Sequence, residues 1–415
     1  MKMATSLPPL PILPKPPTPH LEHPFPGVSL LLPLSRRGTG PGLILLVPEL
    51  NCPILSIKNG VPSPLVKWAE ESYIVAAISV SVLESHIQAK ELLLQIAQFL
   101  NNHSACDLKD QIGLVAYSTE GWSIVAPVLP EIPGIKAAVV YATVRDSNVL
   151  STISVPTVQH LAGKAAPNRL QRNKDLMQYD YPETKSAQFG VPFQRDFHYN
   201  AEAISHTRNL TFLKQIAGGP FFDLEQIWEE HTYYEFENRS VEHTMSTMVQ
   251  EPYVNHVPTL TGGIGREELT TFYRDHFIWK NPKNTTLELI SRTTGIDRVV
   301  DEFIFKFQHD IEVDWLIPGI APTYRDLEIP FMAVVNIRGD RLYHEHITWD
   351  QGTVLMQLGM MPAYLPLDDA KTGEEKRISK VPVFGRETSS KLRDKSSVES
   401  NTLFANRVNK STTEQ

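Results

Sequence analysis

The sequence has few cysteines, an excess of acidic over basic residues and no long apolar run. Its 415 residues include only two cysteines, Cys52 and Cys106, which are too few for a disulfide scaffold or a cysteine-based zinc site. The 39 lysines and arginines face 47 aspartates and glutamates, which gives a net charge of −8. The basic surface of a nucleic-acid-binding protein is therefore not expected. No segment reaches the roughly 18 consecutive apolar residues of a membrane helix, so we expect a cytoplasmic protein that binds neither nucleic acid nor membrane.

Proline is the residue in excess, with 32 prolines against 22 glycines. Residues 1–26 are rich in proline and predict a disordered leader, because repeated prolines prevent helix formation. Residues 366–415 are polar and charged and have no apolar period, which predicts a disordered tail. About 340 residues lie between these segments, a length that fits two folded domains.

Residues 27–220 alternate short apolar runs with helical segments. The runs at 42–48 and 73–78 are continuously apolar, as a strand buried on both faces requires. Helices are predicted at 65–71 and 85–100. Strands that alternate with helices indicate a parallel sheet covered by helices on both faces, so this block is predicted to be an α/β domain.

The most distinctive local sequence of this block is a strand that runs directly into a helix through Ser118. Ala116 precedes this serine and Gly121 follows it. A tight turn between small residues would lift the serine hydroxyl above the sheet, as in a nucleophile turn. A serine nucleophile also needs a histidine base that is oriented by an acid.

Residues 27–220 resemble the dienelactone hydrolase family of the α/β-hydrolase fold. The residues that carry this resemblance are 47–49, 68–73, 113–117 and 155–160. The resemblance implies lactone or ester hydrolysis with Ser118 in the place of the family's nucleophilic cysteine, and Glu49 as a substrate-binding residue beside it. The acid and the histidine of the family are missing from their expected positions. A catalytically degenerate hydrolase domain, in which Glu49 only caps a turn, is therefore the favoured alternative.

Residues 222–365 have helices first and strands afterwards, which indicates an α+β domain. The predicted helices cover 224–236, 241–249 and 266–277, and the predicted strands cover 286–293, 297–308, 312–317, 327–337 and 341–350. The acidic segment 229–237, which includes His231, is predicted to form a solvated face of the first helix.

The last predicted strand of this block is polar along one face. Alternation places His344, His346, Thr348 and Asp350 on this face and Glu345 on the other. A polar face is expected where a strand lines a solvent-filled cavity. Two histidines could share a metal ion, but no third ligand is evident, so no metal site is predicted.

Residues 222–365 resemble the SnoaL-like polyketide cyclases of the NTF2-like superfamily, which form a cone-shaped α+β barrel. The residues that carry this resemblance are 253–258, 265–269, 272–273, 344–350 and 357–359. It implies that Asp350 acts as acid and base on an activated C–H bond, assisted by His344 and His346, although Asp350 could also cap the final helix. Tyr253, His256 and Trp315 are the candidate substrate-binding residues.

Two functional hypotheses follow from these patterns. The first is an enzyme of secondary metabolism that acts on an oxygenated, lactone-like or polyketide-like small molecule. It would hydrolyse this substrate at Ser118, or isomerise or cyclise it at Asp350, without a cofactor. The second is a catalytically degenerate protein that binds a small molecule or acts as a scaffold. In either case the cone-shaped domain could form a homodimer.

Overall fold

The computed structural model describes residues 18–49, 52–146, 150, 154–167, 169–367, 377–405 and 409–410. Within these ranges the chain forms two large sheets, each with its own apolar core. We call residues 18–220 the α/β domain and residues 222–365 the cone domain. No helix in the described part of the chain combines the length and the apolar character needed to cross a membrane.

The α/β domain is built on an eight-stranded sheet whose central strands are parallel. Its strands are β1 (Leu21–Phe25), β2 (Val28–Leu31), β3 (Gly42–Val47), β6 (Ile74–Ser79), β7 (Ile112–Ala116), β8 (Ile135–Thr143), β9 (Thr157–Ala162) and β10 (Leu176–Tyr181), and a separate hairpin pairs β4 (Ile57–Lys58) with β5 (Val61–Pro62). The order is β1-β2-β6-β3-β7-β8-β9-β10, and only the β1–β2 and β2–β6 pairs are antiparallel. Every residue of β3 is buried, as expected for a strand covered on both faces.

Helices cover both faces of this sheet. They are α1 (Pro64–Glu70), α2 (His86–Asn102), α3 (Thr119–Val125) and α4 (Tyr199–Ala217), with 3-10 turns at Val80–Val82, Ala126–Glu131 and Ala187–Gly190. Side chains of α2 and α3 enter one apolar core and side chains of α1 and α4 enter the other. The predicted helices at 65–71 and 85–100 are both present, within two residues at each end.

The cone domain is a curved, mostly antiparallel sheet with helices against its concave face. Its helices are α5 (Leu224–Thr232), α6 (Val241–Ser246), α7 (Gly265–Phe272) and α8 (Gln351–Gln357), with π-helical turns at Tyr233–Glu237 and Tyr273–Phe277 and a 3-10 turn at Ile278–Lys280. Its strands are β11 (Met248–His256), β12 (Thr261–Ile264), β13 (Thr286–Thr294), β14 (Arg298–Gln308), β15 (Asp326–Arg338) and β16 (Arg341–Trp349), in the order β12-β11-β16-β15-β14-β13. Only the β11–β16 pair is parallel.

Two local predictions for this domain are wrong. The segment 312–317, predicted as a strand, forms turns instead. The helix predicted over 241–249 ends at Ser246, and the chain enters β11 two residues later, so Tyr253 lies within a strand. Segments of this length do not by themselves distinguish a strand from other buried structure.

The β15–β16 hairpin fixes the cone domain to the α/β domain. Gly339, at its tip, has φ of +59° and lies so close to α1 that a Cβ would be 2.3 Å from the Glu70 carbonyl oxygen. Arg338 Nη1 donates to Glu70 Oε2 at 2.9 Å. The backbone N–H of Arg36 donates to Asp340 Oδ2 at 2.8 Å. A larger residue at the tip could not enter this contact, so the glycine is a packing requirement.

Parts of the predicted disordered leader and tail are ordered. Leu21–Phe25, within the leader, form the edge strand β1, where Pro24 is tolerated because one side of an edge strand needs no N–H donor. The Phe25 ring contacts Phe99 of α2 at 5.8 Å between centroids. Residues 1–17 lie outside the described residues.

The described part of the tail contains β17 (Tyr364–Leu367), β18 (Arg377–Lys380), α9 (Glu387–Arg393), α10 (Thr402–Ala405) and β19 (Asn409–Lys410). Arg393 of α9 binds Glu288 of β13 at 2.8 Å and Glu328 of β15. Ser389 is fully buried against the same strand. This docking uses charged and polar contacts, which a search for apolar periodicity does not detect.

Candidate functional site

The concave side of the cone domain's sheet encloses a cavity of about 240 Å³. Its wall is mainly aromatic, with side chains from α5, the π-helical turns, β11, β14, β15 and the loop before β15. These aromatic side chains are Trp228, Phe236, His256, Phe277, Phe303, Phe305, Trp315 and Phe331. An apolar cavity with a few converging polar groups is the usual form of a small-molecule site.

Two carboxyl groups, from Glu235 and Glu345, reach this cavity. The imidazole of His231 lies behind them and is fully buried. Its Nε2 is 3.2 Å from Glu235 Oε1 and 3.1 Å from Glu345 Oε1. The three side chains therefore form one buried cluster at the inner end of the cavity, and we call it the Glu–His–Glu cluster.

Both π-helical turns contribute to this cluster. Glu235 lies in the turn Tyr233–Glu237, which extends α5, and Tyr273 begins the turn Tyr273–Phe277, which extends α7. The Tyr273 hydroxyl donates to Glu345 Oε1 at 3.3 Å. Single π-helical turns re-aim side chains within a helix and are frequent at functional sites.

The hydrogen bonds of His231 assign a proton to each of its ring nitrogens. Thr247 Oγ1 donates to the Thr244 carbonyl at 2.7 Å, so it accepts the 2.6 Å hydrogen bond from His231 Nδ1. His231 Nε2 faces the carboxyl groups of Glu235 and Glu345, and it lies 3.5 Å from the Tyr273 hydroxyl, whose own proton goes to Glu345. Burial alone would lower the pKa of His231, but the two carboxylates outweigh it and raise the pKa to about 10. The ring is therefore an imidazolium at neutral pH.

The pKa of Glu235 is higher than that of an ordinary surface carboxyl group. Burial raises its pKa above the usual value, and the Glu345 carboxylate raises it further, against the opposing effect of His231. Glu235 can therefore hold a proton at a pH where an exposed glutamate has lost it, and the Glu345 carboxyl group lies beside it on His231. The two groups can supply an acid and a base side by side.

A second polar group lies nearer the mouth of the cavity. Asp301 accepts from Arg292 Nε at 2.8 Å and from Trp228 Nε1 at 2.9 Å. Arg292 Nη1 donates to Glu225 and Glu229, each at 2.9 Å. Since every charge here has a partner, this group acts as a structural brace of the mouth rather than as a free acid or base.

Two of the predicted substrate-binding residues do line the cavity. His256 packs among the rings of Phe277 and Trp315, and burial lowers its pKa to about 3, so it is uncharged at neutral pH. Trp315 donates through Nε1 to Asn281 Oδ1 at 3.1 Å. Trp315 occupies the loop between β14 and β15, whereas the sequence predicted it on a strand.

The predicted acid–base group does not line the cavity. Asp350 is exposed and caps α8, accepting from Gly352 N at 3.2 Å and from Thr353 N at 3.0 Å. The capping alternative is thus the one that the structure supports. The alternation of β16 was predicted correctly, but the polar face is the convex one, and Glu345 on the opposite face enters the cavity.

The histidines of the polar face are covered by the α/β domain instead. His344 lines a small pocket of about 20 Å³ together with Tyr199 and Glu202 of α4. Burial lowers its pKa to about 2. The His344 and His346 rings stack with centroids 4.4 Å apart, and Tyr253 lies 5.5 Å from His346. Polarity on this face therefore indicates a domain junction, and Tyr253 lies beside His346 on this face and is not among the residues that line the aromatic cavity.

Ser118 has no base beside it among the residues that the structure describes. Its Oγ accepts from Gly121 N at 3.3 Å and so caps α3. His160 lies in the same domain, but its two nitrogens bind Tyr181 OH at 2.8 Å and Asn209 Oδ1 at 2.6 Å. Glu49 is exposed, and Gln194 binds its backbone carbonyl oxygen. The elements for hydrolysis at Ser118 are not brought together, because the turn has the shape of a nucleophile turn without the histidine and acid.

The Glu–His–Glu cluster was not predicted from the sequence, and 229–237 was predicted to form a solvated face. His231 is fully buried and Glu235 nearly so. Two signals could have identified them. Leu224, Ile227, Trp228 and His231 follow the helical period of a buried stripe. Glu345 alternates with Ile347 and Trp349, which marks a carboxyl on an apolar face.

The cluster is also the one group of three candidate metal-binding side chains found within the described residues, with its ligand atoms within 4.8 Å of one another. A divalent cation would have to displace the proton that His231 Nε2 places between the two carboxylates. Because this proton satisfies all three groups, we interpret the cluster as an acid–base group.

Comparisons with known proteins give structural similarity only. No family model matches the chain, and no curated protein matches it. Among solved structures, a candidate SnoaL-like polyketide cyclase from Jannaschia sp. CCS1 has 13% identity and a TM-score of 0.28, covering 35% of this chain and 99% of its own. TsrD from Streptomyces laurentii has 17% identity and a TM-score of 0.28, covering 33% and 96%.

An NTF2-like protein of unknown function from Burkholderia pseudomallei has 16% identity and a TM-score of 0.26, covering 32% of this chain and 95% of its own. These matches cover about a third of this chain. They give no support to the dienelactone hydrolase resemblance. At such identities and scores they decide neither reaction nor substrate.

Proposed function

We propose that the cone domain is a proton-transfer enzyme that isomerises or cyclises a largely apolar, oxygenated small molecule. The observation that carries this proposal is the pair of carboxyl groups, Glu235 and Glu345, which face an aromatic cavity and share an imidazolium. Secondary metabolism and a cytoplasmic location remain part of the proposal, as does a homodimer through this domain.

The proposed chemistry needs only the two carboxyl groups. The Glu345 carboxylate takes a proton from a C–H bond next to a carbonyl, and the Glu235 carboxylic acid gives its proton to the carbonyl oxygen. The electron pair of the broken C–H bond forms the enol double bond. In an unsaturated ketone, return of the proton from Glu345 to the γ-carbon of the dienol completes an isomerisation. In a cyclisation, the α-carbon that lost the proton attacks an electrophile within the substrate. In both reactions the enol O–H proton returns to Glu235 as the carbonyl re-forms. General acid–base catalysis of this type contributes about 10²–10⁴-fold in rate.

The surroundings favour this role for the pair. Aromatic walls exclude water, so charges at the inner end of the cavity interact more strongly than in solvent. The imidazolium of His231 stabilises a negative charge on the adjacent Glu345 carboxyl group, while burial favours the protonated form of Glu235. Tyr273 donates to Glu345 and limits its rotation.

We propose that the α/β domain is a hydrolase-like fold that serves as a support. Its mostly parallel sheet and the turn at Ser118 are consistent with a hydrolase-like fold. The absence of a base beside Ser118 among the described residues favours the degenerate alternative for this domain. Its contribution to the cone domain is the junction with the β15–β16 hairpin, whose second strand carries Glu345.

Hydrogen–deuterium exchange at an activated C–H bond tests the proposal whatever product the enzyme forms. We would follow by NMR the loss of α-protons from bicyclic ketones, lactones and amino ketones in D₂O. Wild-type protein should accelerate exchange of at least one of them, and Glu345→Gln or Glu235→Gln should reduce the acceleration by about 100-fold or more. Glu237→Gln, at an exposed position of the same π-helical turn, is the matched control and should keep full activity. No acceleration with any compound, or equal acceleration by both variants, would contradict the proposal.

A further inference from the structure

Acidic residues outnumber basic residues in the lining of the cavity. Four of its lining residues are acidic, namely Glu229, Glu235, Asp301 and Glu345, and the one lining lysine or arginine in the described part of the chain is Arg292. The sign of this imbalance matters because the walls are apolar, and an apolar surrounding strengthens every charge interaction.

Arg292 is largely committed to carboxylates of the protein. Its Nε and Nη2 both donate to Asp301, at 2.8 and 2.9 Å. Its Nη1 donates to Glu225 and Glu229. Four of its five N–H groups are therefore engaged, and a carboxylate or phosphate in the cavity would have to compete with these three acidic partners for the guanidinium.

The imidazolium of His231 is equally inaccessible to a ligand. Its two N–H groups point to Thr247 and to the two carboxylates, and the ring is fully buried behind them. A ligand that reaches the inner end of the cavity therefore meets carboxyl oxygens of Glu235 and Glu345. These oxygens accept hydrogen bonds and attract positive charge.

The aromatic walls favour the same sign of charge. Six-membered rings present a negative face, and a cation within about 6 Å of a ring centre is attracted to it. The rings of Phe305, Phe331 and Trp315 pack against one another, with centroids 5.2–6.2 Å apart, and all three line the cavity.

We propose that the cavity selects an organic cation, in which an ammonium group is joined to an apolar, ring-sized body. The ammonium lies against the carboxyl groups of Glu235 and Glu345, and the body packs among the aromatic rings. This inference names the substrate class of the proposed enzyme and rests on the same cavity being the ligand site.

Three small ligands of nearly equal shape test the charge preference directly. They are 2-phenylethylammonium, the uncharged 2-phenylethanol and the anionic phenylacetate. Trp228 and Trp315 line the cavity, so quenching of tryptophan fluorescence reports occupancy, and calorimetry gives the dissociation constants. We expect the ammonium to bind about tenfold or more tightly than the alcohol, and phenylacetate to bind more weakly than both. Equal binding of the ammonium and the alcohol to the wild-type protein overturns the inference.

Variants locate the origin of the preference. Glu345→Gln should weaken ammonium binding about tenfold and leave alcohol binding unchanged, while Glu237→Gln should leave both unchanged. An ammonium preference that survives in both Glu345→Gln and Glu235→Gln places the cation elsewhere and overturns the inference. The wild-type ligand series does not depend on either variant folding.

The two proposals fail in different ways. Proton exchange of neutral ketones that needs Glu345, without a preference for ammonium ligands, removes the substrate class and keeps the enzyme. An ammonium preference that needs Glu345, with no proton exchange in any compound, keeps the cation site and removes the enzyme.

Discussion

The two domains each contain a buried histidine with both ring nitrogens hydrogen-bonded, and the two histidines differ in charge. His160 of the α/β domain binds Tyr181 OH and Asn209 Oδ1, which are uncharged, and burial lowers its pKa to about 3. His231 of the cone domain lies between two carboxylates, and its pKa rises to about 10. Burial is complete in both, so the charge of the partners decides the protonation state.

The two histidine networks also differ in access. Asn209, the partner of His160, also donates through Nδ2 to the Tyr141 hydroxyl, and this hydroxyl is hydrogen-bonded to that of Ser205. This closed chain of satisfied groups stabilises the core and offers nothing to a ligand. The Glu–His–Glu cluster opens onto a cavity through its carboxyl groups. The two networks therefore differ in two properties. The histidine of the functional network has charged partners, and its carboxyl groups are accessible to a ligand, whereas the structural network has neither property.

The largest expected effect is on the charged network. His231→Leu leaves Glu235 and Glu345 buried without their cation, and loss of one partner of a buried ion pair costs about 3–5 kcal/mol. Urea unfolding at pH 7, followed by circular dichroism, measures the difference. A loss below about 1 kcal/mol would show that the imidazolium is not there.

The same substitution in the uncharged network should cost less. His160→Leu leaves Tyr181 and Asn209 each short of one hydrogen bond, which costs about 1–3 kcal/mol. The same unfolding experiment applies. A larger loss for His160→Leu than for His231→Leu would reverse the comparison.

The pH dependence of stability should have opposite signs for the two histidines. The pKa of His231 is raised in the folded state, so its contribution is complete below the unfolded pKa of about 6.5 and is lost as the pH rises toward about 10. The pKa of His160 is lowered, so the folded state loses stability as the pH falls from about 6.5 toward about 3.

Each effect has a limiting slope of about 1.4 kcal/mol per pH unit. Unfolding free energies at pH 5, 7 and 9, for the wild type and each leucine variant, measure both slopes. The alkaline slope should flatten only in His231→Leu and the acid slope only in His160→Leu. Equal flattening in both variants would disagree with the assigned charges.

The smallest expected effect is at Ser118. Ser118→Ala removes the cap of α3 and should cost about 1 kcal/mol, within the usual range for a lost N-cap. Proton exchange in the cone domain should be unchanged. If the wild-type protein hydrolyses an ester and Ser118→Ala abolishes this activity, the α/β domain is itself catalytic and the support role is contradicted.

Much of the fold could be predicted from local sequence, because continuously apolar runs and helical periods are local properties. The run at 42–48 and the helix at 85–100 are examples. The alternation of β16 was also predictable, but alternation does not say which face is inside the cone. That choice depends on the docking of the α/β domain over His344.

The candidate site was less accessible to prediction. Glu235 and Tyr273 are aimed by π-helical turns, which have no sequence pattern of their own. His231 was assigned to a solvated face because its neighbours Glu229 and Glu230 are acidic, although its position follows the buried stripe of α5. A charged residue at a buried position is better judged by its helical phase than by its neighbours in sequence.

The protonation state of His231 is the most direct measurement of the central claim, that the inner end of the cavity holds an imidazolium between two carboxyl groups. Two-bond proton–nitrogen correlation NMR of protein labelled with nitrogen-15 in histidine distinguishes a doubly protonated ring from a neutral one. The expected spectrum at pH 8 shows both nitrogens of His231 protonated and only one nitrogen of His160 protonated, with Glu345→Gln lowering the pKa of His231. A neutral His231 at pH 7, or a pKa unaffected by Glu345→Gln, would contradict the account.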